Sequence, residues 1–184
     1  VTSSFTDVDS GDTLTYTMSG APTALSISSG TITGSPVNAD VGDHSIVVTA
    51  TDGSNAAVSD TFVLTVTNTN DAPTIDSTAD TTAEEDEAYS YTTVASDVDA
   101  GDTVTLTCTT VPSWLSCTAG ALTGTPSNSD VGSHAVVITA TDAAGATALD
   151  SFTIVVSNAN DAPTIDSTAV TTATEDSVYT YTLI

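Results

Sequence analysis

Short stretches of alternating apolar and polar residues run along the chain. The alternation is regular in TLTYTM (13–18), HSIVVTAT (44–51), DTFVLTVT (60–67) and TVTLTC (103–108). A period of two is typical of strands that turn one face to a core and the other to solvent. Turn-forming runs such as SGD, TGSP, DGSN and NDAP separate the stretches, and no longer window keeps a helical period. The pattern predicts an all-β fold of short antiparallel strands.

The sequence repeats itself at a spacing of 90 residues. GTITGSPVNADVGDHSIVVTATD (30–52) recurs as GALTGTPSNSDVGSHAVVITATD (120–142), and NTNDAPTIDSTA (68–79) recurs as NANDAPTIDSTA (158–169). About seven short strands fit into one period, which is typical of a small β-sandwich. The polar, Pro-containing N-x-N-D-A-P stretches predict the boundaries. They divide the chain into a first repeat that lacks its opening strand (1–70), a complete second repeat (71–160) and a third segment that is the opening strand region of another repeat (161–184).

The charge of the chain excludes several classes of partner. It has 24 acidic residues, two His and no Lys or Arg, so its formal net charge is −24. A surface without cations cannot neutralise phosphates, which excludes nucleic acid, and it disfavours docking on an anionic membrane. No apolar run approaches the ~20 residues of a spanning helix, so we expect no membrane insertion in this segment. The start VTSSFTDVDS lacks a basic signal-peptide region, so we expect any export signal to lie outside this piece.

Clustered Asp and Asn residues are the main candidates for chemistry. Without Lys or Arg, a buried carboxylate must find a backbone N–H, a hydroxyl, a proton or a metal ion. Ca²⁺ takes six to eight oxygens from carboxylates, carbonyls and amides. D-x-D can deliver two carboxylates to one point, and N-x-N-D tethers an ion to a hinge. These residues are also good turn formers, which is the alternative explanation.

The combination of VPSWLS (111–116), GALTGTP (120–126), ITATDAAG (138–145) and SNANDAP (157–163) resembles the cadherin-like superfamily. The closest likeness is to dystroglycan-type cadherin-like and putative-Ig tandem repeats of large bacterial surface proteins. The resemblance implies tandem seven-stranded Greek-key β-sandwiches with Ca²⁺ at the junctions between successive domains.

The resemblance also implies metal ligands. At the middle junction they are Asn68, Asn70, Asp71, Asp97, Asp99 and Asp142. At the next junction they are Glu85, Asn158, Asn160 and Asp161, and the remaining matching positions are Asp7, Asp9, Asp52 and Glu175. Cadherins usually carry D-R-E in mid-domain, whereas this chain has NADVG and SNSDVG with only Asp40 and Asp130 nearby. Fewer ligands, and one ion instead of three, would follow at each junction.

The two cysteines favour an oxidising, extracellular setting. Cys108 and Cys117 align with Met18 and Ile27 of the first repeat, as expected for two positions that touch. We expect a disulfide between them, with two buried free thiols as the alternative.

Other candidate residues point to structure more than to chemistry. His44 and His134 occupy the same place in two repeats, so they cannot share a metal and we expect a structural or surface role. Trp114 aligns with Ala24; it is a core or edge residue, or an exposed aromatic that stacks on sugar. There is no G-x-S-x-G motif, and a small sandwich offers no deep pocket, so we expect no enzyme.

We therefore expect an extracellular structural and adhesive module at a cell surface, rigidified by calcium within a stalk, fibre or filament. Its partners would be neighbouring repeats or identical subunits arranged head to tail, together with surface glycans or proteins. The alternative function is a carbohydrate-binding accessory module of a secreted enzyme. The chain is either a window of a longer array or a polymerising subunit in which 161–184 of one copy completes 1–70 of the next by strand addition.

Overall fold

The computed structural model describes residues 5–9 and 13–183, and these form β-strands with two single-turn 3₁₀ helices, Asn38–Asp40 and Asn128–Asp130. The strands of the first repeat are β1 (Thr15–Ser19), β2 (Leu25–Ser28), β3 (Thr31–Gly34), β4 (Gly42–Thr51) and β5 (Ala57–Val66). Those of the second are β6 (Thr74–Ile75), β7 (Thr82–Glu84), β8 (Tyr89–Thr92), β9 (Ala95–Ser96), β10 (Thr105–Thr110), β11 (Leu115–Thr118), β12 (Ala121–Gly124), β13 (Gly132–Thr141) and β14 (Thr147–Ser157). The predicted all-β class is confirmed.

The second repeat packs two sheets face to face. One sheet has the order β10-β13-β14-β7, and the other has the order β11-β12-β8. β13 and β14 are antiparallel over ten residue pairs, whereas β7 runs parallel to the end of β14. The short strands β6 and β9 pair with each other at the edge. The sequence predicts seven strands, whereas the structure has nine strand segments in this repeat.

The core lies between these two sheets and is built by the alternating apolar positions. Leu122, Val136, Ile138 and Ile154 are fully buried. In β13 the buried residues alternate with half-buried ones, as the period of two predicts. Each such side chain contributes about 1.5–3 kcal/mol through removal from water. This packing fixes the loops at the strand ends, where the acidic residues lie.

The first repeat has the same central strands but a thinner cover. Its strands form the sheets β1-β4-β5 and β2-β3, without described counterparts of β7 and β8. Ile46 in β4 is buried, but Phe62 in β5 is 38% exposed. Residues 161–183 contain no strand, although the sequence predicts an opening strand region there. The physical reason is that a strand needs a partner edge, and the structure places none beside this segment.

Candidate metal centre

The linker between the two repeats is hydrogen bonded to loops of the second repeat. The side-chain amide of Asn70 donates to Oδ2 of Asp142 at 2.8 Å. The backbone N–H of Asp71 donates to Oδ2 of Asp99 at 2.8 Å. These bonds bring four of the predicted junction residues together, because the D-x-D loop and the end of β13 meet at the linker.

A tight turn shapes the D-x-D loop. Oδ1 of Asp97 accepts the backbone N–H of Asp99 at 2.9 Å, and the backbone N–H of Asp102 donates to the carbonyl of Asp99 at 3.1 Å. Oδ1 of Asp102 also accepts the backbone N–H of Ala143 at 3.1 Å, which joins this loop to the loop after β13. Carboxylate oxygens of Asp97, Asp102 and Asp142 consequently lie within 4.8 Å of one another.

Two carboxylate oxygens of this loop have no hydrogen-bond partner in the structure. They are Oδ2 of Asp97 and Oδ1 of Asp99, and both are buried. A buried carboxylate oxygen without a partner is costly. Since the chain has no Lys or Arg, a protein cation cannot compensate it. Clustered oxygen donors of this kind fit a hard divalent cation such as Ca²⁺.

Hydrogen bonds hold Asp142 in its ionised form. The side-chain amide of Asn70 is the main cause of a pKa below the usual range for this carboxyl, and the backbone N–H of Ala146, which donates at 2.7 Å, adds to the effect. These donors outweigh the burial of Asp142, which acts in the opposite direction. Asp142 is thus a ready anionic ligand at neutral pH.

The second junction is only partly assembled. Glu85 is 1% exposed; its Oε1 accepts the backbone N–H of Ala159 at 2.8 Å, while its Oε2 has no partner in the structure. The side chain of Asn158 bonds to the carbonyl of Ala159, and Asn160 and Asp161 are exposed. Glu85 therefore lies at the linker, where it contacts Ala159, and its joint role with Asn158, Asn160 and Asp161 stays a prediction.

Several predicted positions are not part of an acidic cluster of three in the described ranges 5–9 and 13–183. Asp7 accepts the backbone N–H of Asp9 at 2.9 Å, as in the second repeat, but both are exposed. Asp52 accepts the backbone N–H groups that follow it in its own loop. Asn68 and Glu175 are exposed.

The structure reveals two kinds of junction residue that the sequence analysis missed. Asp102 is the third Asp of DVDAGD, and the first repeat also has a third Asp at that place. The amide of Asn38 donates to Oδ2 of Asp71 at 2.7 Å, and the amide of Asn128 donates to Oδ2 of Asp161 at 2.6 Å. Both kinds recur in the sequence at the period of 90, which is the signal that could have found them.

The mid-domain acids are hydrogen bonded within their own turns. Oδ2 of Asp40 accepts the backbone N–H of Val37 at 2.9 Å, and Oδ2 of Asp130 accepts both the hydroxyl and the backbone N–H of Ser127. The hydroxyl of Ser127 is the main cause of a lowered pKa for Asp130. These carboxylates cap the 3₁₀ turns and are occupied there.

Comparison with known proteins decides the family. A family described as "Putative Ig domain" matches residues 1–67 and 72–157. The chain belongs to this family. Each match is one Ig domain, so the chain contains a first and a second Ig domain in tandem.

Relatives with this sequence pattern are bacterial. The chain is 34% identical over 145 residues to a protein named "Serine-rich adhesin for platelets" from Staphylococcus aureus, and the match covers 76% of this chain and 10% of that protein. In other strains it spans 6% of the relative's length. The predicted extracellular, cell-surface location is confirmed by these relatives, and no described helix has the length and apolar character to span a membrane.

Solved cadherin structures share the fold of the Ig domains. Protocadherin gammaB7 EC3-6 matches with a TM-score of 0.55 at 19% identity, over 78% of this chain and 40% of that chain. Human protocadherin-24 EC1-2 matches with a TM-score of 0.50 at 20% identity, over 80% of this chain and 82% of that chain. The predicted cadherin- and Ig-like sandwich is thereby confirmed at the level of fold.

A disulfide and an aromatic group complete the second Ig domain. Cys108 and Cys117 form a disulfide, as the sequence predicts, and their Cα atoms are 6.3 Å apart.

The half-buried ring of Trp114 contacts Tyr89 and His134 edge-on, with centroid distances of 6.0 and 5.9 Å. This packing favours a structural role for Trp114 over sugar stacking. Burial, followed by the nearby acidic charge, raises the pKa of Tyr89 to about 12.

His44 and His134 have the same structural role in the two Ig domains. Nε2 of His44 lies 2.6 Å from the carbonyl of Asp40, and Nε2 of His134 lies 2.6 Å from the carbonyl of Asp130. Because a carbonyl only accepts, the ring nitrogen donates in both cases. Each His ties the start of its long strand to the preceding 3₁₀ helix.

Proposed function

We propose that the chain is part of an extracellular adhesive array whose domain junctions are rigidified by Ca²⁺. The observation that carries this proposal is the pair of buried, unpartnered carboxylate oxygens on Asp97 and Asp99 beside the linker. In a chain without Lys or Arg, a bound divalent cation offsets this charge. The proposal includes the division into 1–70, 71–160 and 161–184.

The ligands at the middle junction would come from three parts of the chain. The D-x-D loop supplies Asp97, Asp99 and Asp102, the end of β13 supplies Asp142, and the linker supplies Asn68, Asn70 and Asp71. Bound Ca²⁺ would supply a charge centre that cross-links these oxygens. The chain's own residues already orient the linker toward that centre through the amide of Asn70. The linker would lose its bending freedom when the ion binds.

One ion at each junction fits the available donors. The mid-domain Asp40 and Asp130 are occupied in capping the 3₁₀ turns. The neighbouring Asn38 and Asn128 use their amides to hold Asp71 and Asp161 by hydrogen bonds. The upstream domain therefore positions the linker carboxylate and adds no carboxylate of its own from this turn.

The adhesive role rests on the bacterial relatives, which are named as platelet adhesins. Repeats of this kind would act as a stalk, fibre or filament that presents or contributes to a binding surface. Neighbouring repeats or identical subunits arranged head to tail are the first partners, and surface glycans or proteins are the second. Catalysis has no part in this function.

Calorimetric titration of the purified chain with Ca²⁺ tests the proposal, with Mg²⁺ as the competing ion. We expect saturable binding in the ~10⁻⁴–10⁻³ M range of extracellular calcium modules. Asp99→Asn should weaken binding at least about tenfold because it removes a buried anionic ligand. Asp60→Asn, in β5 opposite Val48, makes the same change of charge away from the linker and should leave the affinity unchanged. Absence of binding at several millimolar Ca²⁺ would overturn the proposal.

Small-angle X-ray scattering separates binding from rigidification. The distribution of chain dimensions should become narrower when Ca²⁺ is added. It should become broader again after chelation. Binding without any change in the scattering profile would leave a calcium site but would refute its mechanical role.

A further inference from the structure

Asp150 is a charged residue on the core-facing side of β14. The alternation of this strand places it on the same face as Phe152 and the fully buried Ile154. It lies opposite Ile138 of β13, which is also fully buried. Its Oδ2 is buried and has no hydrogen-bond partner in the structure. A buried carboxylate oxygen without a partner lowers stability, and the proposed calcium junctions do not use this one.

The strand that carries Asp150 has a free edge beside it. β14 pairs with β13 along one side over ten residue pairs, whereas on the other side β7 begins only opposite Val155. In the part of the chain that the structure describes, no strand pairs with that side of β14 before Val155, and the nearby β6 pairs with β9 instead.

The backbone groups along this edge point outward. The N–H of Val155 points away from β13, because it donates to the carbonyl of Thr81. Backbone groups in an antiparallel ladder alternate in direction along the strand. Those of Leu149, Ser151 and Thr153 therefore point away from β13 as well. An edge of this kind can accept a further strand unless something prevents it.

A strand added at this edge would bring its own side chains beside Asp150. Side chains directly opposite each other on neighbouring strands have Cβ atoms about 4.5–5.5 Å apart. A strand of another copy carries apolar residues on its core-facing side, as β13 does with Val136 and Ile138. These residues would remove the remaining water from the carboxylate. If two β14 strands paired with their Asp150 residues opposite each other, two like charges would face each other, which is also unfavourable.

The composition of the chain makes this obstacle general for its own copies. No Lys or Arg occurs in the 184 residues, so no strand of another copy can offer a Lys or Arg side chain to Asp150. The position also recurs, because DSFTIVV (150–156) corresponds to DTFVLTV (60–66). Pairing between the wrong domains is a characteristic folding error of repeat proteins.

We propose that Asp150 keeps the free edge of β14 from accepting a strand of a second copy. An inward-pointing charge lowers the stability of its own domain and makes the edge beside it unsuitable for pairing. The inference goes beyond the proposed function and needs no metal. It concerns the side of the sandwich, whereas the calcium junctions lie at the linkers.

Sedimentation velocity and hydrogen exchange of the 184-residue chain test the inference, with Asp150→Val as the main variant. Val suits a core-facing strand position and carries no charge. We expect the Tm of the second repeat to rise by at least about 4 °C and self-association to become at least about tenfold stronger than that of the wild-type chain. Amide exchange of residues 147–153 should slow as the concentration rises in this variant alone, which would locate the contact at the edge of β14.

Ser151→Val is the matched control, because it adds the same side chain to the exposed outer face of β14. It should leave self-association and the exchange of residues 147–153 close to their wild-type values. Asp150→Asn removes the charge with little change of shape. It should shift the Tm and association in the same direction by smaller amounts, so it decides the question if the valine variant folds poorly.

The inference is overturned if the folded variants of Asp150 associate no more strongly than the wild-type chain. It is also overturned if Ser151→Val associates as strongly as Asp150→Val, because added hydrophobicity alone would then explain the pairing. A lower Tm for both Asp150 variants would show that the carboxylate has a stabilising contact, and this result would contradict the inference as well.

Discussion

Asp97→Asn should stabilise the second repeat in chelator and should lose most of that gain when calcium is added. Oδ1 of Asp97 accepts the backbone N–H of Asp99, and an Asn side chain keeps that acceptor. Its other oxygen is buried and has no hydrogen-bond partner, and the carboxylate is part of the acidic cluster with Asp102 and Asp142. The substitution therefore removes one negative charge with little change of shape. Without metal it should stabilise the second repeat, and with metal it should remove a ligand.

The spacing of the cluster sets the magnitude. Oxygens of Asp97, Asp102 and Asp142 lie within 4.8 Å of one another. Two unit charges at that distance repel by roughly 0.9 kcal/mol in bulk water. At an effective dielectric constant of 20 the repulsion is about four times as large. Asp97 has two such neighbours, so we expect about 2 kcal/mol of stabilisation in chelator at low ionic strength. For a domain of this size that is roughly 8–16 °C in Tm.

Calcium should reduce this difference, because the variant gains less stability from the ion than the wild-type chain does. With a dissociation constant of ~10⁻⁴–10⁻³ M, 10 mM Ca²⁺ stabilises the wild-type chain by about 1.4–2.7 kcal/mol through mass action. A variant with tenfold weaker binding gains about 1.4 kcal/mol less, at most.

Thermal unfolding, monitored by circular dichroism with and without Ca²⁺, measures both the effect of the substitution and the stabilisation by calcium. Asp60→Asn is the control for a general change of charge. A lower Tm for Asp97→Asn in chelator would show that the carboxylates do not repel as argued. An unchanged calcium shift would show that Asp97 is not a ligand.

Three further outcomes follow from the contacts described above. Replacing Cys108 and Cys117 by Ser should cost about 2.6 kcal/mol, the loop entropy for a separation of nine residues, measured by denaturant unfolding. Burial raises the pKa of Tyr89 to about 12. The protonated phenol of Tyr89 therefore contributes fully to stability below pH ~10, and this contribution is lost as the pH rises toward 12. Ultraviolet titration should show one tyrosine that ionises late. Asn38→Ala should weaken calcium binding without lowering the Tm in chelator, because its amide positions the carboxylate of Asp71; calorimetry that finds unchanged affinity would remove Asn38 from the junction.

The sequence pattern was sufficient for the sandwich because strand alternation and turn chemistry are local signals. The grouping of Asp99 and Asp142 at one linker came from the resemblance to cadherin-like repeats and not from the strand pattern. Asp102 was missed because its contact with Ala143 joins loops 41 residues apart. The bond from Asn38 to Asp71, which spans 33 residues, was missed for the same reason. The repeat at 90 residues marks both positions, but it does not say which distant residue each side chain contacts.

Strand formation in the third segment shows a different limit of sequence analysis. Residues 161–183 have the alternation and β-branched residues of strands, yet they form none in the structure. The equivalent residues 71–93 form strands because β12 and β14 offer them edges. A strand is a property of a pair, so the sequence of one segment predicts a capacity and the fold decides whether it is used.

The parallel pairing of β7 with β14 places a strand near the start of the second repeat beside its last strand. A tensile force applied through the two linkers would slide these strands past each other in opposite directions. The bonds from Val155 N–H to the carbonyl of Thr81 and from Glu85 N–H to the carbonyl of Ser157 would then be loaded in shear and would have to break together. Glu85 also holds the exiting chain at Ala159, at the point where the load enters. These bonds therefore act as a clamp at the last few residues of the repeat, and they resist a force that pulls its two ends apart.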